Sequence, residues 1–483
     1  MISKKDMKRV EEYVYEIPKS FRADMRVPAR LYADEELLEM ALQDRSVEQL
    51  VNTATLPGVV KYTLAMPDIH QGYGPPIGGV IPLRTSDGVI SPGAVGYDIN
   101  CGVRLLRSNV LAEEVKPIMD DIVHALFRGV PSGVGRSGDV KLSHRDTEAV
   151  LEKGSAWAVS QGYGTKDDLE HTEERGSMAG AEARAVSKEA KKRGQDQLGT
   201  LGSGNHFVEV GEVEEIYDEE AAEAFGLFGG QMVVWVHSGS RGLGHQVCTD
   251  YVRDLQKAVS KYSIQLPDRE LVCAPFDSPE GRDYFAAMAS AANYAWANRQ
   301  ILAHRVRLVL DEVLAGLVKD RELTLVYDVA HNIAKVEEHP VDGKPTKLII
   351  HRKGATRAFG PGMEALPADY RDVGQPVLIP GDMGTASYVL VGTTEAMEKT
   401  FGTSCHGAGR VMSRSAAIKK IRGSELQQEL AQKGIVVRGG SWKGLAEEAP
   451  EAYKDVDRVV NVVHSAGIAR KVARTVPLGV IKG

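Results

Sequence analysis

No CxxC pair occurs in the sequence, and its only four cysteines, Cys101, Cys248, Cys273 and Cys405, are scattered over 483 residues. Disulfides are not expected in such a chain, and one or two thiols are available as ligands. No apolar run reaches the ~20 residues that a membrane span requires. The opening MISKKDMKRVEEYVYEIPKS is charged throughout and lacks the apolar centre of a signal peptide. The expectation is therefore a cytoplasmic protein with no membrane partner. Bulk positive charge is missing too: the net charge is −7. A nucleic-acid partner would have to be held by a local basic patch. There is no internal repeat, low-complexity tract or linker.

Hydrophobic residues make up 43% of the chain, ample for a large core. Length alone allows roughly two to three domains. The 50 glycines are clustered, notably at 72–79, 93–102, 199–204, 239–244, 354–362, 381–384 and 402–409. These clusters flank short β-like runs: QMVVWV before His237, LTLVYDVA before His331, KLII before His351 and PVLIPG before Asp382. Apolar spacing of three and four residues predicts a helix over 286–318, and the polar stretch 173–194 reads as an exposed helix. The chemically loaded loops run from position 68 to 410, which favours one large unit of mixed α and β structure with its function on loops at strand ends.

Metal chemistry is suggested by five residues. Asp98 and Cys101 lie three apart in VGYDINCGVR; His206 follows a Gly-rich turn in LGSGNHFVEV; His237 ends the strand VVWV; His331 ends LVYDVA. Each alone is more often a turn, core or surface residue. Five N, O and S donors exceed what one structural zinc needs, and suit two ions sharing a thiolate. Such pairs are typical of phosphoryl chemistry. Ligand type leaves zinc and manganese open. Other histidines, such as His124, His144, His171, His304, His339 and His464, sit in helical or polar segments and read as ordinary.

Phosphate binding is suggested by basic residues beside glycines: Arg241 in HSGSRGLGH, Lys353 and Arg357 in HRKGATRAFG, and Arg410 and Arg414 in HGAGRVMSR. Gly-rich backbone can turn N–H groups to an anion, and Arg grips phosphate bidentately. The stretch GTSCHGAGR, 402–410, lacks the Lys-Ser/Thr ending of a nucleotide P-loop and centres on His406. A neutral imidazole there can act as a nucleophile toward phosphorus, as a metal ligand or as a structural group. Chemistry alone does not separate the three.

Taken in order, MPDIHQGYGPPIGGV (66–80), GYDINCGVR (96–104), LGSGNHFVEV (201–210), VHSGSRGLGH (236–245), DVAHN (328–332), HRKGATRA (351–358), PGDMGTASYVLVG (380–392) and SCHGAGR (404–410) resemble the RtcB family of RNA-splicing ligases, over nearly the whole chain. The motifs run on without an intein. The resemblance implies a single α+β domain over 1–483 with a deep metal-lined cleft. It implies a GTP- and manganese-dependent ligase that joins RNA 2′,3′-cyclic phosphate or 3′-phosphate ends to 5′-hydroxyl ends, as in tRNA splicing and RNA repair. His406 would carry GMP covalently and pass it to the RNA 3′-phosphate. Two Mn²⁺ ions would be held by Asp98, Cys101, His206, His237 and His331, with Cys101 shared. The guanylate pocket would fall on Asn205, His206, Phe207, Val208, Glu209, His331, Asn332, Pro380, Gly381, Asp382, Met383, Ser387, His406, Gly407, Ala408, Gly409 and Lys482. Glu209 would read the guanine N1–H and N2–H₂ edge, and Tyr453 would pack near the base. Asp68 would hold the RNA 5′ end, with Arg241, Lys353, Arg410 and Arg414 on RNA phosphate. The substrates implied are tRNA halves, with an archease-type activator as a possible accessory. Asp382 departs from the serine of some relatives, which puts its own role in question.

Two other readings use the same residues. A metal-dependent phosphoesterase of RNA ends would need no GTP and form no nucleotide adduct. A non-catalytic RNA-binding factor would need no thiolate–imidazole set at all.

Overall fold

The structure is a computed structural model that describes residues 2–133, 135 and 137–483. Two large sheets dominate it. One has seven strands, in the spatial order Lys8–Glu11, Val14–Ile17, Ala29–Tyr32, Thr63–His70, Ile77–Arg84, Lys344–Lys353 and Asn332–Val341. The other has eight: Thr324–Ala330, Gly102–Leu111, Gln231–Ser238, Phe207–Ile216, Ala469–Lys482, Ser387–Gly392 and Pro376–Ile379, with Val436–Gly439 pairing alongside Ala469–Lys482. Helices pack between and around them, so the fold class is α+β, as the sequence implies. All four β-like runs singled out in the sequence lie in these strands.

The predicted long helix is present but shifted, spanning Pro279–Val313. Ser278 caps it by accepting from the Gly281 N–H, and proline at the first turn loses no bond it would have made. From Ala286 to Ala303 it is buried all round. Alanine-rich faces let sheet and helices approach it closely, and a helix covered on every side belongs to the core. Polar residues in that buried stretch therefore need partners. Asn293, Asn298, Arg299 and Gln300 all find them, and those of Asn298 and Arg299 lie on segments that carry the candidate ligands.

The exposed helix expected over 173–194 is not formed. Only Lys188–Gly194 is α-helical, preceded by single turns at Glu173–Gly176 and Ala183–Ala185. The reason is Glu173, which is fully buried. Its carboxylate accepts from the Ala330 N–H at 3.0 Å and pairs with Lys335. Turning that side chain inward puts Glu174 and Arg175 at φ of 56° and 52°, which no helix continues through.

Arg104 and Arg299 are buried without solvent contact and share one carboxylate, Asp328, at 2.8–2.9 Å. Removing one member of such a set strands the others as uncompensated charges. Asp328→Ala is expected to lower unfolding stability by about 3–5 kcal/mol. Urea denaturation checks this, and a loss under ~1 kcal/mol would contradict it.

Candidate active site

Five neighbouring strands of the eight-stranded sheet end at the same level. The pairs Ala330 with Gly102, Gly102 with Ser238, His237 with Phe207, and Phe207 with Lys482 lie directly opposite one another. Residues just beyond or at those ends are therefore neighbours in space: Cys101, His206, His237, His331 and Lys482. The chain passes from this sheet to the seven-stranded one through His331 alone, since one strand ends at Ala330 and the next starts at Asn332. The second sheet brings Asp68, His70 and Lys353 to the same place. A short ladder pairing Ala355 with Cys405 delivers His406.

All five predicted metal ligands converge. Cys101 Sγ lies 3.5 Å from His206 Nε2 and 3.3 Å from His237 Nε2. His206 Nε2 is 2.9 Å from Asp98 Oδ2, and His237 Nε2 is 3.3 Å from His331 Nε2. Two triads result, Cys101–His237–His331 and Asp98–Cys101–His206, each with donor atoms within 4.8 Å of one another. His206 Nδ1 is held at 3.1 Å by the Leu201 carbonyl, which fixes the ring with Nε2 facing the cluster. Burial drives His237 and His331 well below the usual imidazole range, so both are neutral, the ligating form. Burial would raise the Asp98 carboxyl, yet the His206 hydrogen bond and charge hold it at about 2. Burial and the Asp98 charge push the Cys101 thiol up; a bound cation reverses that, because it takes the thiolate. A donor set of neutral imidazoles, one carboxylate and one shared thiol fits a pair of divalent cations.

His406 stands beside this cluster, its ring centre 5.0 Å from that of His331. Asp68, fully buried, grips it from behind. One carboxylate oxygen, Oδ2, accepts from His406 Nδ1 at 2.6 Å, from the His406 backbone N–H at 3.0 Å and from the Gly407 N–H at 3.3 Å. Burial would raise Asp68, but the His406 contacts win and keep it charged. Nδ1 is thereby the protonated nitrogen, and Nε2 is left with its lone pair. Gly409 sits at φ +77°, and a Cβ there would lie 2.2 Å from the Asp68 carbonyl oxygen, so only glycine lets the loop close on that strand.

Above these groups opens a cleft of about 320 Å³. One wall is built by Asn205, Phe207, Glu209, Pro380–Met383, His406–Arg410, Arg414, Tyr453 and Lys482. Glu209 makes no side-chain hydrogen bond among the described residues and its buried Oε1 is unpartnered. Burial raises its carboxyl from the usual 4.5 to about 8. Lys482 is buried, lies 5.2 Å over the Phe207 ring and has its ammonium destabilised by burial.

The remaining predicted site residues are placed as follows. The Asp68 carboxylate is buried against His406 rather than open to the cleft. Val208 faces the opposite side of its strand from Phe207 and Glu209 and packs in the core. Ser387 does not line the cleft; its hydroxyl accepts from the Gly381 N–H at 3.1 Å and so shapes the 380–383 wall. Asp382 turns into its own loop, accepting from the Gly384 N–H and the Thr385 hydroxyl, both at 2.8 Å. Arg410 donates to Met412 O, Glu447 O, Glu448 and the Tyr453 hydroxyl, and so braces the wall rather than offering a free fork. Arg357 is buried against Gln375 and Glu174. Lys353 lines the cleft but donates to the carbonyls of Tyr73 and Pro75. Arg241 donates to the Thr200 hydroxyl at 3.2 Å, next to the His206 loop. Arg414 is half-exposed at the cleft edge.

Other residues gave no sign in the sequence. Glu448, buried, anchors Arg410 and Arg414 at 3.2 Å each. Lys454, buried, donates to Pro67 O at 3.1 Å and Ile69 O at 2.5 Å, the carbonyls on either side of Asp68. His70 was within a quoted motif, but nothing about its spacing marked it as a cleft residue.

The sequence matches the family described as "tRNA-splicing ligase RtcB" over residues 49–483. It is 58% identical over 477 residues to a protein named tRNA-splicing ligase RtcB from Thermococcus kodakarensis, covering 99% of each chain. Relatives of the same name from Archaeoglobus fulgidus and Methanococcus maripaludis are 57% and 52% identical, covering 99% of this chain and 99% and 100% of theirs.

The raised Glu209 carboxyl has a consequence for stability. The folded protein holds that proton more tightly than the unfolded chain does, so the contribution is full below about 4.5 and is lost as pH rises through about 8. Without nucleotide, Glu209→Gln is expected to flatten the fall in Tm between these limits relative to the unmodified protein. Parallel slopes for the two proteins in thermal melts would show that Glu209 is not the source.

Proposed function

The chain belongs to the RtcB family, and on that footing we propose that it is a tRNA-splicing ligase that joins RNA 2′,3′-cyclic phosphate or 3′-phosphate ends to 5′-hydroxyl ends, using GTP and manganese. The observation that carries the reading is His406: Nδ1 bound to a buried carboxylate, ring against the metal cluster, at the floor of a cleft with an unpartnered carboxyl and a buried lysine.

Asp68 holds the Nδ1 proton and fixes the ring, so Nε2 is the nucleophile. Nε2 attacks the α-phosphorus of GTP; a P–N bond forms, the α–β anhydride breaks and pyrophosphate leaves. An oxygen of the RNA 3′-phosphate then attacks the same phosphorus, the P–N bond breaks, and the imidazole recovers its lone pair. The 5′-hydroxyl attacks the RNA phosphate so activated, and GMP departs. A cyclic phosphate is first opened by water. Cys101, His237 and His331 would hold one Mn²⁺ and Asp98, Cys101 and His206 the other, neutralising phosphate charge. Glu209, as carboxylate, accepts from the guanine N1–H and N2–H₂ edge, which adenine lacks. Lys482 and Arg414 supply positive charge at the wall. The proposed substrates are tRNA halves, with an archease-type activator as accessory. Among the described residues no helix is long and apolar enough to cross a membrane.

The test is label transfer from α-labelled GTP with manganese and no RNA. The unmodified protein should take up an acid-labile, alkali-stable label, His406→Ala none, and Asp68→Ala should slow uptake on the order of 100-fold. No label on any of them, with RNA ends still dephosphorylated, would establish the phosphoesterase instead. Chelation should abolish labelling and added manganese restore it; uptake undiminished in chelator would remove the metals from this step.

A further inference from the structure

The cleft lining falls into two groups, and the guanylate reading uses only one. The other comes from the turns at 70–77 and 96–97. From it three rings run outward. Tyr73 and Tyr97 meet edge to face, centres 5.6 Å apart at 69°. Tyr97 and His245 lie 4.9 Å apart at 33°, close to stacked. Both tyrosines are half-buried and His245 is exposed, so the ladder climbs from the cleft to the surface. None of the three side chains makes a hydrogen bond among the described residues, so hydrogen bonding does not explain them. Tyr97 precedes Asp98, so the ladder begins at the metal cluster.

We propose that Tyr73, Tyr97 and His245 are a stacking platform for unpaired nucleobases at the RNA end entering the cleft, an inference that rests on the ligase reading above. Every base has a π-face, so aromatic stacking holds single strands without reading sequence. That suits an enzyme acting on end chemistry. The chain's net charge is −7, so backbone attraction must be local, and the ladder has it. Lys353 only braces the Tyr73 turn from below, donating to Tyr73 O and Pro75 O; the cation is Arg193. Arg193 reaches the start of the helix that carries His245, 3.3 Å from where a Gly242 Cβ would sit. Glu270, the carboxylate beside the Tyr73 turn, is engaged by the Gly74 N–H at 2.8 Å.

The strand that uses the platform bears either the 3′-phosphate or the 5′-hydroxyl; the chemistry recognised is the same. Two fluorescent single-stranded RNAs, one ending in a 3′-phosphate and one offering only a 5′-hydroxyl, separate these by anisotropy with manganese present. Tyr73→Ala and His245→Ala should each weaken binding of one of them about tenfold, while Tyr73→Phe, which keeps the ring, binds as the unmodified protein does. GTP label uptake without RNA is measured on the same proteins. Unchanged RNA binding in both alanine variants would overturn the proposal. So would a phenylalanine variant as weak as the alanine one, or label uptake falling in the same proportion as RNA binding. If even the unmodified protein takes no label, the ligase reading falls instead, and the anisotropy series still decides whether the rings bind RNA.

Discussion

Arg299 is the group on which the site depends. Its guanidinium is buried in the middle of the long helix and is bound on every side. It donates to Asn100 O and Ser238 O at 2.7 and 2.9 Å, to Asn100 Oδ1 at 2.9 Å and to both oxygens of Asp328. Asn100 and Ser238 adjoin Cys101 and His237 in sequence, and Asp328 lies three residues before His331 on the strand that leads to it. A buried guanidinium is tolerable only when its donors are all engaged, so the helix cannot shift without dragging the ligand-bearing segments with it. Gly102 is the counterpart of this bond: a Cβ there would sit 2.8 Å from the guanidinium carbon. One residue back, Asn298 does the same for the fourth candidate ligand, His206. Its amide accepts from Gly199 and Thr200 N–H and donates to Thr200 O, Ser238 Oγ and Gly239 O, tying the loop before His206 to the strand of His237.

Antiparallel pairing completes what the helix begins. Strands that end level with one another place their terminal residues side by side at the spacing of the sheet, about 5 Å, which is the reach of imidazole and thiol donors around a shared cation. Alternation along each strand then sorts roles. Phe207 and Glu209 face the cleft while Val208 faces the core, so one strand furnishes a pocket wall and a packing surface at once. The ligands are therefore placed by sheet register and backbone hydrogen bonds rather than by loop conformation.

This explains what could be read from the sequence and what could not. The β-rich runs before His237 and His331 were legible because a strand ending in a histidine beside glycine has a local signature. The five candidate ligands and His406 were legible as a set that converges, since each stands in such a run or turn. The direction of charged side chains was not. Arg357, Arg410 and Asp68 look like surface or ligand-facing charges in their motifs, yet each is turned onto a partner far away in the chain: Glu174, Glu448 and His406. Glu173 misled in the same way, since a polar, alanine-rich stretch reads as an exposed helix until a distant Lys335 claims its carboxylate. Asp382 is accounted for by its own turn, where it satisfies two nearby donors.

Two buried carboxyls in the site are driven in opposite directions by what surrounds them. Asp68 has three donors on one oxygen and stays charged; Glu209 has none and is neutral up to about pH 8. The first arrangement is complete within the protein and fixes the His406 ring, which under the ligase reading aims the nucleophile. The second is incomplete: a group held uncharged by the absence of donors becomes charged when donors arrive. A base edge carrying two N–H groups supplies them, so under the guanylate reading nucleotide binding and proton release from Glu209 are one event. A base edge that offers an acceptor instead takes a hydrogen bond from the neutral carboxyl. Which edge Glu209 pairs with therefore depends on its protonation state, and the same burial that raises the carboxyl couples the choice of base to pH.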